Sequence, residues 1–416
     1  MRLPRIIISS MATIAPFRAL RPVPQAASAV AAVPYDVVSA DEARALSADS
    51  PLSFLHVSRA EVDLPRETDS YADVVYLKAA ENFATLRDRA PLILEEVPSL
   101  YVYRLRLGDH VQTGIAGCFS VADYTADVIK KHERTRRDKE EDRTRHIVEL
   151  RAQTGPVFLI HGTSSDVTEV VVRTTIAGAS PLCDFAAADG VQHTLWRVDG
   201  EDQRTLVTAF GAMPALYIAD GHHRAASAAR AREYFGSRGG AGDWDTFLAV
   251  AFPGDQTQVL AYNRVVKDLG GHTPESLLAL LRRGHTVAKG PAVPVRKGDI
   301  SMFLAGEWYT VELGAPTLDA GAAEQLDVSR LQNLVLSPLL GIGDVRTDTR
   351  IDFIGGARGT DQLETLVASG QAAVAFSMFP VSVSDLMTIS DAGGIMPPKS
   401  TWFEPKLRDG LLSHLI

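Results

Sequence analysis

Asp220-Gly-His-His-Arg224 sets a carboxylate, a glycine, two imidazoles and a guanidinium side by side, between the apolar run Leu216 to Ala219 and an alanine-rich stretch from Ala225. An apolar strand that turns onto a helix at a glycine is a place where phosphates bind. The glycine permits a tight turn, the first helical N–H groups have no partner within the helix, and the dipole adds partial positive charge. Gly221, His222, His223 and Arg224 are therefore candidate phosphate-binding residues, Arg224 through its fixed fork of N–H donors. Asp220 is a candidate Mg²⁺ ligand, because Mg²⁺ prefers oxygen and is shared with a nucleotide's β- and γ-phosphates; a helix cap is its alternative role. Successive helical residues point about 100° apart, so the two histidines do not grip one metal together. Capping or packing is the alternative for them.

A second charged constellation runs from His132-Glu-Arg-Thr to Arg143. A zinc-protease helix needs His-Glu-x-x-His, and position 136 is arginine, which excludes that reading. As one continuous helix the segment would bring His132, Arg136, Lys139 and Arg143 onto a single stripe facing a polyanion. A solvated face tied by ion pairs, such as Glu140 with nearby bases, is the competing expectation. Glu133 is the candidate general base, since a carboxylate opposite a phosphate turn can take the proton of an attacking hydroxyl. Near the C-terminus, Gly393 to Lys406 carries three prolines, two lysines and two hydroxyls. A loop stiffened in this way could hold Lys399 over a phosphate, or could be a plug seated by Met396, Trp402 and Phe403.

The elements around these residues read as mixed α/β. Strand-like pieces are Ser53 to Val57, Tyr101 to Leu107, Val157 to His161, His193 to Val198 and Phe247 to Phe252, with further strands near Met302 to Leu304, Trp308 to Leu313 and Ala372 to Phe379. Ser39 with Glu42 forms a capping box ahead of a helix near Asp41, leaving Tyr35 and Asp36 on a loop or strand end. Ser120 with Asp123 repeats the pattern and predicts a helix through Lys130. A long helix is expected over Tyr71 to Arg89, and another ends before Gly155-Pro156. Gly270-Gly271 suggests a boundary, and no internal repeat is evident.

The bulk numbers narrow the class. The chain of 416 residues exceeds one ordinary core, and 46% hydrophobic with 22% charged residues is typical of globular proteins. A net charge of −9 argues against a broad nucleic-acid or anionic-membrane surface. Cys118 and Cys183 are far apart, which suggests neither a disulfide framework nor structural zinc, and a cytoplasmic setting is expected. No apolar run approaches the roughly 20 residues of a membrane span. Residues 1–10 read as a disordered extension before an alternative start at Met11.

Five ordered segments resemble the DUF1015 family, which is associated with free L-serine kinases. They are Pro34-Tyr-Asp-Val-Val-Ser, His132-Glu-x-Thr with Lys139-Glu-x-Asp-Arg, Ile218-Ala-Asp-Gly-His-His-Arg, Tyr262-Asn-Arg-Val-Val-Lys and Met396-Pro-Pro-Lys-Ser-Thr. The resemblance runs over nearly the whole chain from Met11. It departs at Trp402, where relatives tend to carry tyrosine. It implies a core similar to the ParB and sulfiredoxin nucleotide-binding fold, in which a turn like Asp220 to Arg224 cradles the phosphates, and a glutamate, matched by Glu133, as base for the serine hydroxyl.

The resulting expectation is an α/β protein with a ParB/sulfiredoxin-like core at 119–270, flanked by α/β regions at 11–118 and 271–416. Its reaction is phosphorylation of free L-serine to O-phosphoserine with ATP and Mg²⁺. Glu133 and Asp220 are the expected catalytic residues. Lys139 and Arg143 join the turn residues 221–224 around the nucleotide, and His132, Thr135, Lys399, Ser400 and Thr401 contact the substrate. One alternative is a non-catalytic nucleotide switch akin to ParB-type CTPases, although no segment supplies the basic helix-turn-helix that such proteins normally carry. The other is a metal-dependent hydrolase that acts without nucleotide.

Overall fold

The computed structural model describes residues 11–89, 92–162, 166–238, 242–317 and 319–416; the extension expected at 1–10 lies outside them. The chain folds as two compact units, both mixed α/β. The first comprises Met1–Lys131, Thr135–Thr257 and Pro405–Ile416; the second comprises His132–Arg134 and Gln258–Glu404. This division differs from the expected boundaries at 118 and 270, because one sheet draws strands from both sides of residue 118 and the last residues return to the first unit.

That sheet has nine strands: β1 (Ile14–Ala15), β2 (Leu100–Leu107), β3 (His110–Ser120), β4 (Ile129–Lys130), β5 (Val157–His161), β6 (Cys183–Ala186), β7 (Gln192–Val198), β8 (Leu216–Asp220) and β9 (Thr246–Pro253). Their order is β4-β8-β5-β9-β3-β2-β7-β6, with β1 beside β3. The β4–β8 and β5–β9 pairs are parallel and the others antiparallel. Strands β5 and β9 are buried along their length, which explains their continuous apolar runs.

Six helices of the first unit matter here: α1 (Ala40–Ser47), α2 (Asp73–Arg89), α3 (Arg137–Leu150), α4 (Asp166–Gly178), α5 (Gly200–Phe210) and α6 (His222–Gly236). Ala225 and Ala228 of α6 pack into the core under the sheet with Leu159 and Ile218, while Ala231 and Phe235 meet Ile147 of α3. Small residues let α6 lie close to the strands, and this seating fixes the turn at its start.

The second unit is built on an antiparallel sheet of β10 (Tyr262–Val266), β11 (Thr286–Lys289), β12 (Asp299–Leu304), β13 (Glu307–Glu312), β14 (Ile351–Gly355) and β15 (Val374–Ser377), in the order β11-β13-β12-β15-β10-β14. Val265, Phe303, Leu363 and Ala375 form a core cluster there.

Two sequence expectations are corrected. Residues 53–57 are not a strand: Leu55–Ser58 is a short helix, with Phe54, Leu55 and Val57 all buried. An apolar run of that length carries no readable period. Ser120 does cap a helix, but that helix spans only Val121–Thr125. The Asp123 carboxylate accepts instead from the Thr13 N–H at 2.7 Å, Asp127 turns left-handed at φ 61°, and Ile129–Lys130 joins the sheet as β4. By contrast, the Ser39–Glu42 capping box is formed as expected.

Candidate functional site

The Asp220–Arg224 segment has the expected strand-turn-helix form. β8 ends at Asp220, Gly221 is left-handed at φ 96°, and α6 begins at His222. The N-cap is Gly221, which has no side chain to cap with, and Ala225 N–H donating to Gly221 C=O at 3.0 Å closes the first turn. The N–H groups ahead of Ala225 thus have no acceptor within the helix.

The side chains behave differently from the backbone. Arg224 is turned inward: its Nη1 donates to the Pro156 carbonyl, and its Nη2 lies 3.4 Å from Asp220 and 4.0 Å from Asp36. Through Nη1 it braces the turn from behind, while Nε and Nη2 are buried with no hydrogen-bond partner. Lys406 Nζ approaches the same Asp220 Oδ2 at 3.2 Å. Burial alone would raise the Asp220 carboxyl, but Lys406 and Arg224 pull it far below the ordinary carboxylate range. With two cations already on that oxygen, Asp220 does not fit the expected role of Mg²⁺ ligand. Its charge is balanced from within the protein, and a divalent ion would be repelled by both neighbours.

Arg143 is likewise internal. Nε donates to Asp142 at 2.9 Å, Nη1 donates to the Ser58 carbonyl at 3.2 Å, and the guanidinium lies 4.1 Å from the Tyr35 ring centre. Tyr35, Arg143, His146, Arg224 and Asp409 line a cavity of about 40 Å³. That holds only a few waters, whereas nucleotide-sized ligands need pockets of roughly 300 Å³ or more. Burial pushes the Asp409 carboxyl up to about 7, against the pull of Arg224 and Arg143. Burial and then Arg143 push His146 down to about 3, so it is neutral and its Nε2 lies 2.9 Å from the Val57 carbonyl. Arg143 thus has internal partners at Asp142 and Ser58, and Arg224 at Pro156, beside a cavity too small for a nucleotide.

The four-residue cationic stripe is not formed. Arg136 is the N-cap of α3 and His132 lies before the helix, in the second unit. Lys139 Nζ donates to the Tyr71 hydroxyl at 2.8 Å. Thr135 donates to Glu140, which also pairs with Arg230 at 3.3 Å, so this stretch is the ion-paired face that the competing expectation described. His223 Nε2 accepts the Arg136 backbone N–H at 3.0 Å, tying the start of α6 to the start of α3. His222 is buried.

Glu133, His132, Lys399, Ser400 and Thr401 belong to the second unit. There the His132 carbonyl accepts from the Met396 N–H at 2.8 Å, joining two of the sequence motifs. Lys399 is left-handed at φ 57°, with its Nζ 5.3 Å from the Tyr262 ring centre. Ser400 Oγ donates to the Pro397 carbonyl at 2.6 Å and is spent holding the loop.

Sequence reasoning missed Lys406 and Asp409. Lys406 entered only as one of the two lysines of the 393–406 stretch and Asp409 lies in no motif; each reaches the turn region across nearly two hundred residues. Asp36 and Tyr35 were noted only as loop residues, although their motif was the available signal.

Among solved structures, the chain is similar to a free serine kinase in complex with AMP, at 13% identity and a TM-score of 0.34 over 71% of this chain and 91% of that one. It is also similar to SbnI with a C-terminal truncation from Staphylococcus aureus, at 12% and 0.38 over 71% and 86%. A conserved hypothetical protein from Pyrococcus furiosus gives 14% and 0.34 over 73% and 95%. No curated protein matches the chain. The family model described as "Protein of unknown function (DUF1015)" matches residues 14–329, and the chain belongs to that family.

Proposed function

We propose that this protein is a kinase that transfers a phosphoryl group from ATP to the hydroxyl of free L-serine. The observation that carries the reading is the start of α6: after a buried strand, a left-handed glycine, which has no side chain to cap the helix, opens onto its first turn. Such a terminus attracts phosphate through its first-turn N–H groups, which have no acceptor within the helix, and through the helix dipole. Lys406, 3.2 Å from Asp220, adds positive charge to the same turn.

Phosphoryl transfer requires mostly positioning and neutralisation of charge. The backbone at 221–224 would hold phosphate oxygens, and Glu133 would accept the serine hydroxyl proton as the nucleophile forms. His132, Thr135, Lys399 and Thr401 are the residues proposed on the acceptor side. Mg²⁺, when bound with ATP, supplies charge neutralisation on the phosphates; it would be held by those phosphates and water rather than by Asp220.

The test is to incubate the protein with ATP, Mg²⁺ and a panel of small hydroxyl compounds, and to identify phosphorylated products by mass. Glu133→Gln should lower turnover by at least about 100-fold while leaving ATP affinity within a factor of a few. Undiminished turnover would remove Glu133 from the mechanism. ATP bound without any turnover would contradict the kinase reading, as would hydrolysis of an acceptor without nucleotide.

A further inference from the structure

The motif Tyr262-Asn-Arg-Val-Val-Lys, so far without a chemical role, meets the backbone of Met396-Pro-Pro-Lys within the second unit. Arg264 of β10 is 3% exposed, and its Nη2 donates to the Lys399 carbonyl at 3.1 Å. Its Nη1 donates to the Tyr262 carbonyl, and its guanidinium carbon lies 5.4 Å from the Phe353 ring centre. Among the described residues no carboxylate pairs with it, whereas the buried Arg21, Arg224, Arg330 and Arg408 each face one. The two carbonyls occupy two of five N–H groups. A buried cation without a counter-charge is costly. The same burial pulls Arg264 down to about 10.

Arg264 lines a cavity of about 340 Å³, within the range of small-molecule sites. Its walls are apolar at Val328, Leu336, Phe353 and Met396, with Gln332 and Asn333 also facing it. Gln332–Leu336 is a π-helical turn, a distortion that recurs at functional sites. Gln332 Nε2 donates to the Ile342 carbonyl at 2.8 Å, while its buried Oε1 has no partner. Lys399, whose carbonyl fixes Arg264, holds a left-handed conformation that side chains rarely adopt.

We infer that this cavity is a binding site for a small organic anion, whose carboxylate or phosphate head pairs with Arg264 and whose apolar body lies against Phe353 and Met396. Gln332 Oε1 accepts a donor from the ligand body. The site lies wholly in the second unit and does not depend on the kinase reading.

Ligand-observed NMR on the full chain tests it, with phenylacetate, phenyl phosphate and the neutral phenylacetamide as probes. An anion should bind at least tenfold more tightly than the amide, and the comparison between the two anions tells which head group the site takes. Arg264→Gln should remove that preference. Because this variant also loses a brace on two carbonyls and can fail to fold, Asn333→Trp serves as the second variant: an exposed residue enlarged to fill the cavity, leaving Arg264 in place. It should abolish anion binding with an unchanged melting temperature. Equal binding of amide and anions, anion binding that survives Asn333→Trp, or no anion binding at all would each overturn the inference.

Discussion

Gly221 and Asp409 show how single residues set the properties of the turn. A Cβ at position 221 would lie 3.0 Å from Arg224 Cζ and Nε, on a backbone at φ 96°. Gly221→Ala should therefore cost about 1–2 kcal/mol in unfolding free energy from the left-handed backbone alone, and should weaken ATP binding by shifting the N–H groups of α6. Denaturant titration and calorimetry check the two effects, and an alanine variant with intact stability and affinity would contradict this geometry. Asp409 faces Arg224, Arg143 and Asp36. Its carboxyl is raised to about 7 in the fold, above an unfolded value of about 3.9. The associated stability is complete below the unfolded value and is lost as pH rises through about 7. Asp409→Asn should accordingly raise the melting temperature relative to the parent more at pH 8 than at pH 5. An equal difference at the two pH values would show that the carboxyl titrates normally.

At the scale of elements, β8, α6 and the returning C-terminal segment act as one assembly. Lys406→Met removes the nearer of the two cations that pair with the Asp220 carboxylate and should destabilise the fold by on the order of 1–3 kcal/mol. Asp220→Asn in the same chain should recover part of that loss in a double-mutant cycle, whereas additive effects would mean that the pair at 3.2 Å is uncoupled. The strand β8, its glycine turn and α6 were legible in sequence because an apolar run, a breaker and a helix-forming stretch follow one another directly. The long helix α2 and the strand β9 were legible for the same reason. What stayed hidden depends on distant partners. Asp123 abandons the capping box for Thr13, so the helix after Ser120 is shorter than its local signal. Arg143 and Arg224 look like surface cations in sequence, and only the packing of Tyr35, Asp36 and Asp409 around them turns them inward.

Over the whole molecule, chain order and unit membership part company. The last residues belong to the first unit, where Arg408 Nε donates to His193 Nε2 at 3.1 Å. Ser413–Leu415 pairs with Ala19–Leu20 and Ala152–Gln153 in a small sheet. A chain ending at Glu404 should lose cooperative unfolding of the first unit, seen as a broadened or absent thermal transition in circular dichroism; an unaltered transition would show that this segment is dispensable. No helix among the described residues is long and apolar enough to cross a membrane.

The measurement that bears most directly on the proposed activity is ³¹P NMR of the purified chain with ATP, Mg²⁺ and L-serine. The account expects the γ-phosphate resonance to be replaced by that of O-phosphoserine, with ADP formed in equal amount and no transfer when serine is omitted. ATP that stays intact beside serine, or decays only to inorganic phosphate, would contradict it.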